Sequence, residues 1–225
     1  MKQFLKRRLT LSDFFLIAVN LVPLWGVWFK GWSATELFIV YCMESIILGG
    51  YNILMMLLAT AYQKRYGINQ KPQEAGGMQG YWLILFFIVH YGFFIFIQLS
   101  IFLGVSGIDN ESSFGAFGFV AHVRDYLSIQ MQWMLLLFIA SYGLVLLKDF
   151  VFSGTYKSAV VENLVFAPYA RIFVQQFCVI LGGMFLGFGA GKVFVLIFVV
   201  VKLWFENLLD YNKMIKAPVT TAPAK

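Results

Sequence analysis

Long apolar runs separated by short polar or basic stretches dominate the pattern along this chain. Several runs extend for about 17 to 25 residues with few or no charges, the length that an α-helix needs to cross a hydrocarbon core about 30 Å thick. The runs are apolar on all faces, whereas the strands of a membrane barrel alternate over about 10 residues. The pattern therefore predicts about six transmembrane helices, at 11–29, 33–62, 81–104, 129–147, 172–190 and 193–209.

Composition favours a polytopic membrane protein built as one all-α helical bundle. Hydrophobic residues make up 60% of the chain and charged residues only 12%, against about 25% charged in a soluble domain. One membrane domain over 1–216 leaves no room for a soluble catalytic domain. The tail 217–225, rich in proline and alanine, is predicted to be disordered.

The distribution of positive charge predicts an orientation. The net charge is +6, but the basic residues lie in short loops, where they act as topology signals and headgroup contacts rather than as a nucleic-acid site. On the six-span layout, thirteen Lys and Arg residues fall on one side and three, Lys30, Arg124 and Lys192, fall on the other. Because cytoplasmic loops carry the excess of Lys and Arg, both termini are predicted to be cytoplasmic in a multi-pass protein of the bacterial inner membrane.

Four polar residues interrupt the apolar runs near their centres: Asn20, Glu44, His90 and Lys202. At 1.5 Å per residue, Glu44 lies roughly 16 Å, Lys202 roughly 15 Å and His90 roughly 14 Å from one end of its predicted helix. A charge at the centre of a bilayer is costly, so it normally faces the protein interior and finds a partner. We therefore expect these four side chains to share one layer near the midplane.

A polar face on the sixth predicted helix extends this pattern. Lys202, Glu206 and Asp210 recur at four-residue spacing, which places them on one side of a helix. Asn52 lies eight residues beyond Glu44, so the second predicted helix presents a matching polar face. We expect the two helices to pack through these faces. Glu44 and Lys202 then form either a structural ion pair or a site for an ion, a proton or a substrate.

Local signals mark one helix start and two structured loops. Ser33-Ala34-Thr35-Glu36 has the spacing of a capping box, in which Ser33 accepts from the backbone N–H of Glu36 and the carboxylate reaches back to the helix start. The loops 105–128 and 148–171 mix aromatic and aliphatic residues with polar ones. Each is expected to form a short helix in the interface or to pack on the edge of the bundle.

The small residues inside the runs favour packing over chemistry. Cys42 and Cys178 lie in apolar runs with no Cys or His at ligand spacing, so we expect core residues rather than a disulfide or a metal site. Gly183, Gly187 and Gly191 share a four-residue spacing that lets helix backbones approach closely, either within the chain or in a dimer. The sequence contains no motif for a metal or a cofactor, and none is predicted.

Several motifs inside the predicted helices carry a resemblance. They are Tyr41-Cys42-Met43-Glu44, Gly49, Asn52, His90-Tyr91-Gly92-Phe93, Ala167-Pro168-Tyr169-Ala170-Arg171-Ile172, Gly182-Gly183 and Lys202 with an acid four residues later. Together they resemble a prokaryotic family of small multi-span membrane proteins classed as a domain of unknown function, over nearly the whole chain. The chain departs from the family pattern at Gln175 and Gln176, where a histidine is common, and at Glu206, where the usual acid is Asp. The resemblance implies the membrane architecture and the importance of Glu44, His90, Arg171 and Lys202, but no activity.

Transport or channel activity is the function that these features favour. The polar site at the centre of the bundle would comprise Glu44, His90, Lys202, Glu206, Asn20 and Asn52. Protons or a small solute are the expected cargo, since histidine exchanges protons near neutral pH.

Two other classes of function stay open. In a non-catalytic scaffold or subunit, the same residues would form a structural network, and the loops would contact a second copy or a partner membrane protein. An intramembrane enzyme acting on lipid would use Tyr169, Arg171 and Asp210 at the cytoplasmic headgroup level. No set of catalytic residues is identified, so the enzyme is the least favoured class. Membrane lipids are a partner in every case.

Overall fold

The computed structural model describes residues 11–67, 80–106, 115–166, 168–169, 172, 181–182, 185 and 188–208. These residues form helices and turns with no strand among them, which confirms the all-α prediction. The α-helices are α1 (Leu11–Phe29), α2 (Ala34–Tyr66), α3 (Tyr81–Ser106), α4 (Gly115–Ala121), α5 (Ile129–Val145), α6 (Val161–Phe166) and α7 (Gly191–Leu208).

Three stretches of the described chain are long and apolar enough to cross a membrane: Ala34–Tyr66, Tyr81–Gly104 and Ile129–Phe152. They correspond to the second, third and fourth predicted spans. α1 and α7 coincide with the first and sixth predicted spans to within two residues at each end. Most of the fifth span, 172–190, and the tail, 217–225, lie outside the described residues. The chain is therefore a membrane-type helical protein, and the six-span count stays a prediction.

The long helix α2 lies at the centre of the bundle. In its most apolar window 67% of the residues are buried, against 28% in α3 and 22% in α5. All nine residues from Leu37 to Ser45 are buried, and nine residues cover every face of a helix. α3 and α5 instead turn apolar side chains outward, including Val89 at 66% exposed and Trp133 at 62% exposed. Exposed apolar faces of this size suit contact with lipid.

α3 packs antiparallel to α2. Near the start of α2, Gln98 Nε2 lies 3.6 Å from Cys42 Sγ. Tyr91 donates its hydroxyl to the backbone carbonyl of Ser45 at 3.0 Å, so residues earlier in α3 meet residues later in α2. Cys42 is buried and forms no disulfide, which confirms its predicted place in the core.

Gly49 provides the space in which Tyr91 crosses α2. A Cβ at Gly49 would lie 2.5 Å from Tyr91 Cε1, and that ring is buried and stacked on Phe87, with ring centres 4.8 Å apart. Because the ring has nowhere to move, we expect Gly49→Ala to destabilise the protein by about 1 to 3 kcal/mol. For a chain of this size that corresponds to a loss of about 2 to 12 °C in Tm. Thermal unfolding of the purified protein measures it.

Gly50 is the matched control for this substitution. Nothing lies within 4 Å of a Cβ built at Gly50, and alanine is the better helix former. Gly50→Ala should therefore leave Tm unchanged or raise it. An equal loss of Tm in both variants would contradict the close approach of Tyr91 to α2.

α5 runs parallel to α2 and continues without a break into a π-helix, Leu146–Phe152. The parallel direction follows from two contacts: the backbone N–H of Ser128 donates to Glu36 at 2.8 Å, and Tyr51 donates to the carbonyl of Ile139 at 2.8 Å. The sequence predicted that this span ends at position 147. In the structure the membrane-type stretch continues to Phe152.

The capping prediction at the start of α2 is half right. Ser33 accepts from the backbone N–H of Glu36 at 3.3 Å, as expected. The Glu36 carboxylate, however, bonds Ser128 at the start of α5 instead of reaching back to its own helix start. It therefore ties together the N-terminal ends of α2 and α5.

The two loops behave differently from each other. The outer loop forms the expected short helix, α4, which is followed by a 3₁₀ turn at Val123–Tyr126. The loop 148–171, named the inner segment after its predicted side, packs against the bundle. After the π-helix it forms a 3₁₀ turn at Thr155–Lys157, and α6 then packs against α2 and α3 inside the bundle. This inner segment supplies part of the candidate site.

Candidate functional site

Glu44 is a buried acid on the central helix. It lies ten residues after the start of α2 at Ala34, about 15 Å along the helix axis, and its side chain is only 1% exposed. The hydroxyl of Tyr142, on α5, donates to Glu44 Oε1 at 2.5 Å. A short hydrogen bond from a hydroxyl to a carboxyl group is a strong one. The predicted burial of Glu44 is confirmed, and Tyr142 is a partner that the sequence did not indicate.

Aromatic rings enclose this acid on the outer side. Tyr41, one turn before Glu44, packs edge-on against Phe198 of α7 with ring centres 4.5 Å apart, and its ring centre lies 6.2 Å from that of Phe138. Phe138 in turn stacks on Tyr142. The hydrogen bond between Glu44 and Tyr142 therefore lies in an apolar setting, where electrostatic interactions are stronger than in water.

The register of α7 places position 202 at the level of Glu44. Phe194 stacks on Phe38 at 5.0 Å between ring centres, and Phe198 packs on Tyr41, so α7 runs parallel to α2. Position 202 follows Phe198 by four residues, about one turn, on the same face of α7. It therefore lies level with position 45 of α2. The backbone at 202 and 206 is described, whereas the side chains of Lys202 and Glu206 lie outside the described part of the structure.

Asn20 comes from α1 to the same depth. It is completely buried and lies nine residues before the end of α1, as Glu44 lies ten residues after the start of α2. A short turn at 30–33 joins the two helices, so both residues lie roughly 15 Å from the same end of the bundle. α1 packs against α7 and α5, which are the helices of Lys202 and Tyr142.

Asn52 holds the inner segment deep in the bundle. Its Nδ2 donates to the backbone carbonyl of Leu164 in α6 at 2.8 Å, and both residues are buried. In a continuous helix that carbonyl would accept from the N–H of residue 168. Residue 168 is Pro168, which has no N–H. The Asn52 amide thus supplies a donor that the helix itself lacks.

A second amide marks where the inner segment enters the bundle. Gln63 Nε2, near the inner end of α2, donates to the carbonyl of Ala159 at 2.9 Å. Gln63 and Asn52 are eleven residues apart on α2, about 16 Å. Between Ala159 and Leu164 the segment therefore travels from the end of α2 toward its middle. Irregular backbone at such a depth requires protein partners for its polar groups, and the two amides are such partners.

Tyr169 and His90 meet at the end of this segment. The Tyr169 hydroxyl lies 2.7 Å from His90 Nδ1, and the Tyr169 ring also packs edge-on against Phe87 and Phe94 of α3. These α3 residues lie six to thirteen positions beyond the start of the helix at Tyr81, and the place of Tyr169 at the cytoplasmic headgroup level stays a prediction.

His90 lies apart from Glu44 in this arrangement. Its neighbour Tyr91 faces α2, whereas the His90 ring lies on the exposed outer face of α3. Gln98 meets Cys42 and the Tyr91 ring lies beside Gly49, so the antiparallel register sets His90 opposite position 50 of α2, six residues or about 9 Å from the level of Glu44. Glu44, Asn20 and the backbone at position 202 thus lie at a similar depth along their helices, and a shared polar site stays a prediction. His90 instead belongs to the group around Tyr169.

Five residues singled out in the sequence lie outside the described residues: Arg171, Asp210, Gln175, Gln176 and Cys178. Of the glycines in the predicted fifth span, Gly182 is described, and a Cβ there would lie 2.5 Å from Phe194 and 2.6 Å from Phe38. Gly182 therefore serves packing inside the chain. Within the described residues, no group of three or more His, Cys, Asp or Glu side chains has the arrangement of a metal site.

Comparison with known families gives one match, which covers residues 3–222 and is described as a family of unknown function, DUF6498. The chain belongs to the DUF6498 family. No curated protein and no solved structure matches it. Membership confirms the resemblance to an uncharacterised family and assigns no activity.

The motifs that carry the DUF6498 resemblance meet one another in space. Gly49 receives the ring of Tyr91, Asn52 compensates for Pro168, and His90 bonds Tyr169. Residues 42 to 116 positions apart in the chain thus build two groups in this DUF6498 protein. One is the outer group, Glu44 with Tyr142. The other is the inner group, Asn52, Leu164, His90 and Tyr169.

Proposed function

We propose that this chain is a six-span protein of the bacterial inner membrane that carries protons or a small solute past Glu44. The observation that carries the proposal is the complete burial of an acid in the centre of the central helix, held by the hydroxyl of Tyr142. Intramembrane acids that face the bundle interior mark ion, proton or substrate pathways. The parallel direction of α2, α5 and α7 supports the six-span layout, because even-numbered spans must run the same way.

The inner segment supports a route from the other side. It enters beside Gln63 and brings its backbone to the level of Asn52 and His90, about 9 to 12 Å from the level of Glu44. In transporters, non-helical backbone that reaches the membrane centre commonly contributes to the substrate site. The cargo would reach Glu44 through the outer half of the bundle and this segment through the inner half. The two positions would then belong to one pathway.

Reconstitution of the purified protein into liposomes tests the proposal. A pH-sensitive dye inside the vesicles reports proton movement after an acid step, and radiolabelled amino acids, sugars and organic acids report solute uptake. We expect the protein to dissipate the pH gradient or to take up a solute faster than protein-free liposomes. Rates equal to those of protein-free liposomes for protons and for every solute would refute transport.

The proposed topology has its own test. The termini should be cytoplasmic and the outer loop exposed on the other side. Cysteine introduced at Ser113 should react with a membrane-impermeant maleimide in intact spheroplasts, whereas cysteine at Thr220 should react only after permeabilisation. The reverse pattern would overturn the orientation, and labelling of both sites in intact spheroplasts would overturn the even number of spans.

A structural role for the same charges is the second candidate, and the register of α7 favours it. Position 202 lies level with Glu44 on the face of α7 that meets α2, where an ion pair would fix how the helices pack. On this alternative, Glu44→Gln reduces the yield of folded protein, and Glu44→Gln with Lys202→Met restores it. On the transport proposal, Glu44→Gln folds normally and loses flux.

A further inference from the structure

His90 presents a polar group on the outer face of α3. Its ring stacks on Phe86, with centres 5.1 Å apart and planes 16° apart, and it meets Phe94 edge-on at 5.1 Å. Further exposed residues of this face are apolar, with Val89 at 66% and Phe93 at 59% exposed. The ring lies nine residues into a membrane-type helix, about 14 Å from its end at Tyr81. A single imidazole thus lies within an apolar surface of the membrane-type region.

The hydrogen bond with Tyr169 determines what this imidazole offers. A phenol hydroxyl can donate or accept, and in the contact of 2.7 Å between the Tyr169 hydroxyl and His90 Nδ1 the hydroxyl is the donor in the tautomer that leaves Nδ1 unprotonated. The neutral ring then carries its proton on Nε2. Among the described residues, none accepts a hydrogen bond from Nε2. Away from water, an N–H group without an acceptor costs free energy, so this N–H favours an acceptor from beyond the described residues.

We propose that His90 and Tyr169 form a binding site for the carbonyl oxygen of an apolar molecule dissolved in the bilayer. The Nε2–H group donates to the carbonyl, and the rings of Phe86 and Phe94 flank the position that it occupies. A ligand that carries a carbonyl group on an apolar body matches one donor on an apolar face. An isoprenoid quinone and a fatty acid both have this chemistry. The site is separate from Glu44, so the proposal does not depend on transport.

Equilibrium binding of decylubiquinone and of oleic acid to the protein in lipid nanodiscs tests the site and separates the two sources. We expect at least one probe to bind the unmodified protein and its Kd to rise about tenfold in His90→Phe, the loss expected for one hydrogen bond. His90→Gln, which retains an N–H donor, should keep Kd within about threefold. His122→Phe is the matched control, because His122 is an exposed outer-loop histidine beside Asp125.

Each result decides the proposal. Binding of one probe alone supports it and identifies the ligand class. It is overturned if neither probe binds the unmodified protein, or if His90→Phe and His122→Phe give the same Kd as the unmodified protein. Cysteines introduced at Val89 and Phe93 provide a second measurement. Disulfide formation between two copies at these positions in native membranes would show that protein covers this face, and would also overturn the proposal. These measurements record binding rather than flux, so their failure leaves the proposal for Glu44 intact.

Discussion

Glu44→Gln should reduce flux through the reconstituted protein at least about tenfold, equivalent to about 1.4 kcal/mol in the activation free energy. Glutamine has nearly the same shape and can still accept the hydrogen bond from Tyr142, but it cannot take up a proton or carry a negative charge. A substitution that preserves packing while removing the charge therefore isolates the chemistry of Glu44. Flux is measured as dissipation of a pH gradient or uptake of the solute found for the unmodified protein.

Glu36→Gln is the matched control on the same helix. Glu36 lies eight residues before Glu44, and its carboxylate accepts from the backbone N–H of Ser128 at the outer end of the bundle. A glutamine oxygen can replace that acceptor, so flux should remain within about twofold of the unmodified rate. Equal loss of flux in both variants would indicate a general effect of charge or folding. Undiminished flux in Glu44→Gln would exclude Glu44 from the pathway.

Asn52→Leu should cause the largest loss of stability among the inner group. Leucine matches asparagine in size but leaves the buried carbonyl of Leu164 without its amide donor. An unpaired buried carbonyl costs about 1 to 3 kcal/mol, which corresponds to about 2 to 12 °C in Tm for this chain length. Thermal unfolding in detergent or nanodiscs measures the change.

The role of Pro168 makes this prediction specific. Pro168→Ala supplies a backbone N–H at the position that a helix would use for the Leu164 carbonyl. In the double variant, Asn52→Leu with Pro168→Ala, at least about half of the lost stability should return. Gln63→Leu serves as the control, because Gln63 bonds the carbonyl of Ala159, which Pro168 does not affect. Additive losses in the double variant would contradict the compensation, as would an equal rescue of Gln63→Leu.

The sequence predicted the helices and the depth of Glu44 for clear physical reasons. A long apolar run has few alternatives to a membrane-type helix, and an acid within it must be buried against protein. The register that brings position 202 level with Glu44 follows from the same depth count. The sequence did not identify Tyr142 as the partner of Glu44, since Tyr142 is one of eleven tyrosines and lies in an ordinary apolar run.

The sequence did not predict which face of α3 carries His90, nor the path of the inner segment along the bundle. α3 is apolar on every side, so its pattern does not show which face meets α2 and which is exposed. The segment from Thr155 to Tyr169 resembles an interface helix in composition, and the side chains that bond its carbonyls at Ala159 and Leu164 are distant in sequence. Asn52 and Pro168 are 116 positions apart, and only the fold shows that one compensates for the other.

The most direct test of the central claim is the reaction of Glu44 with an apolar carbodiimide, which modifies protonated carboxyl groups in apolar surroundings. Reconstituted protein is treated for increasing times, flux is measured, and peptide mass spectrometry gives the modified fraction of each acid. If Glu44 is the group past which protons or solute move, its modification and the loss of flux should rise together, with Glu36 remaining unmodified. Full modification of Glu44 with unchanged flux would contradict the claim, and so would loss of flux while Glu44 stays unmodified.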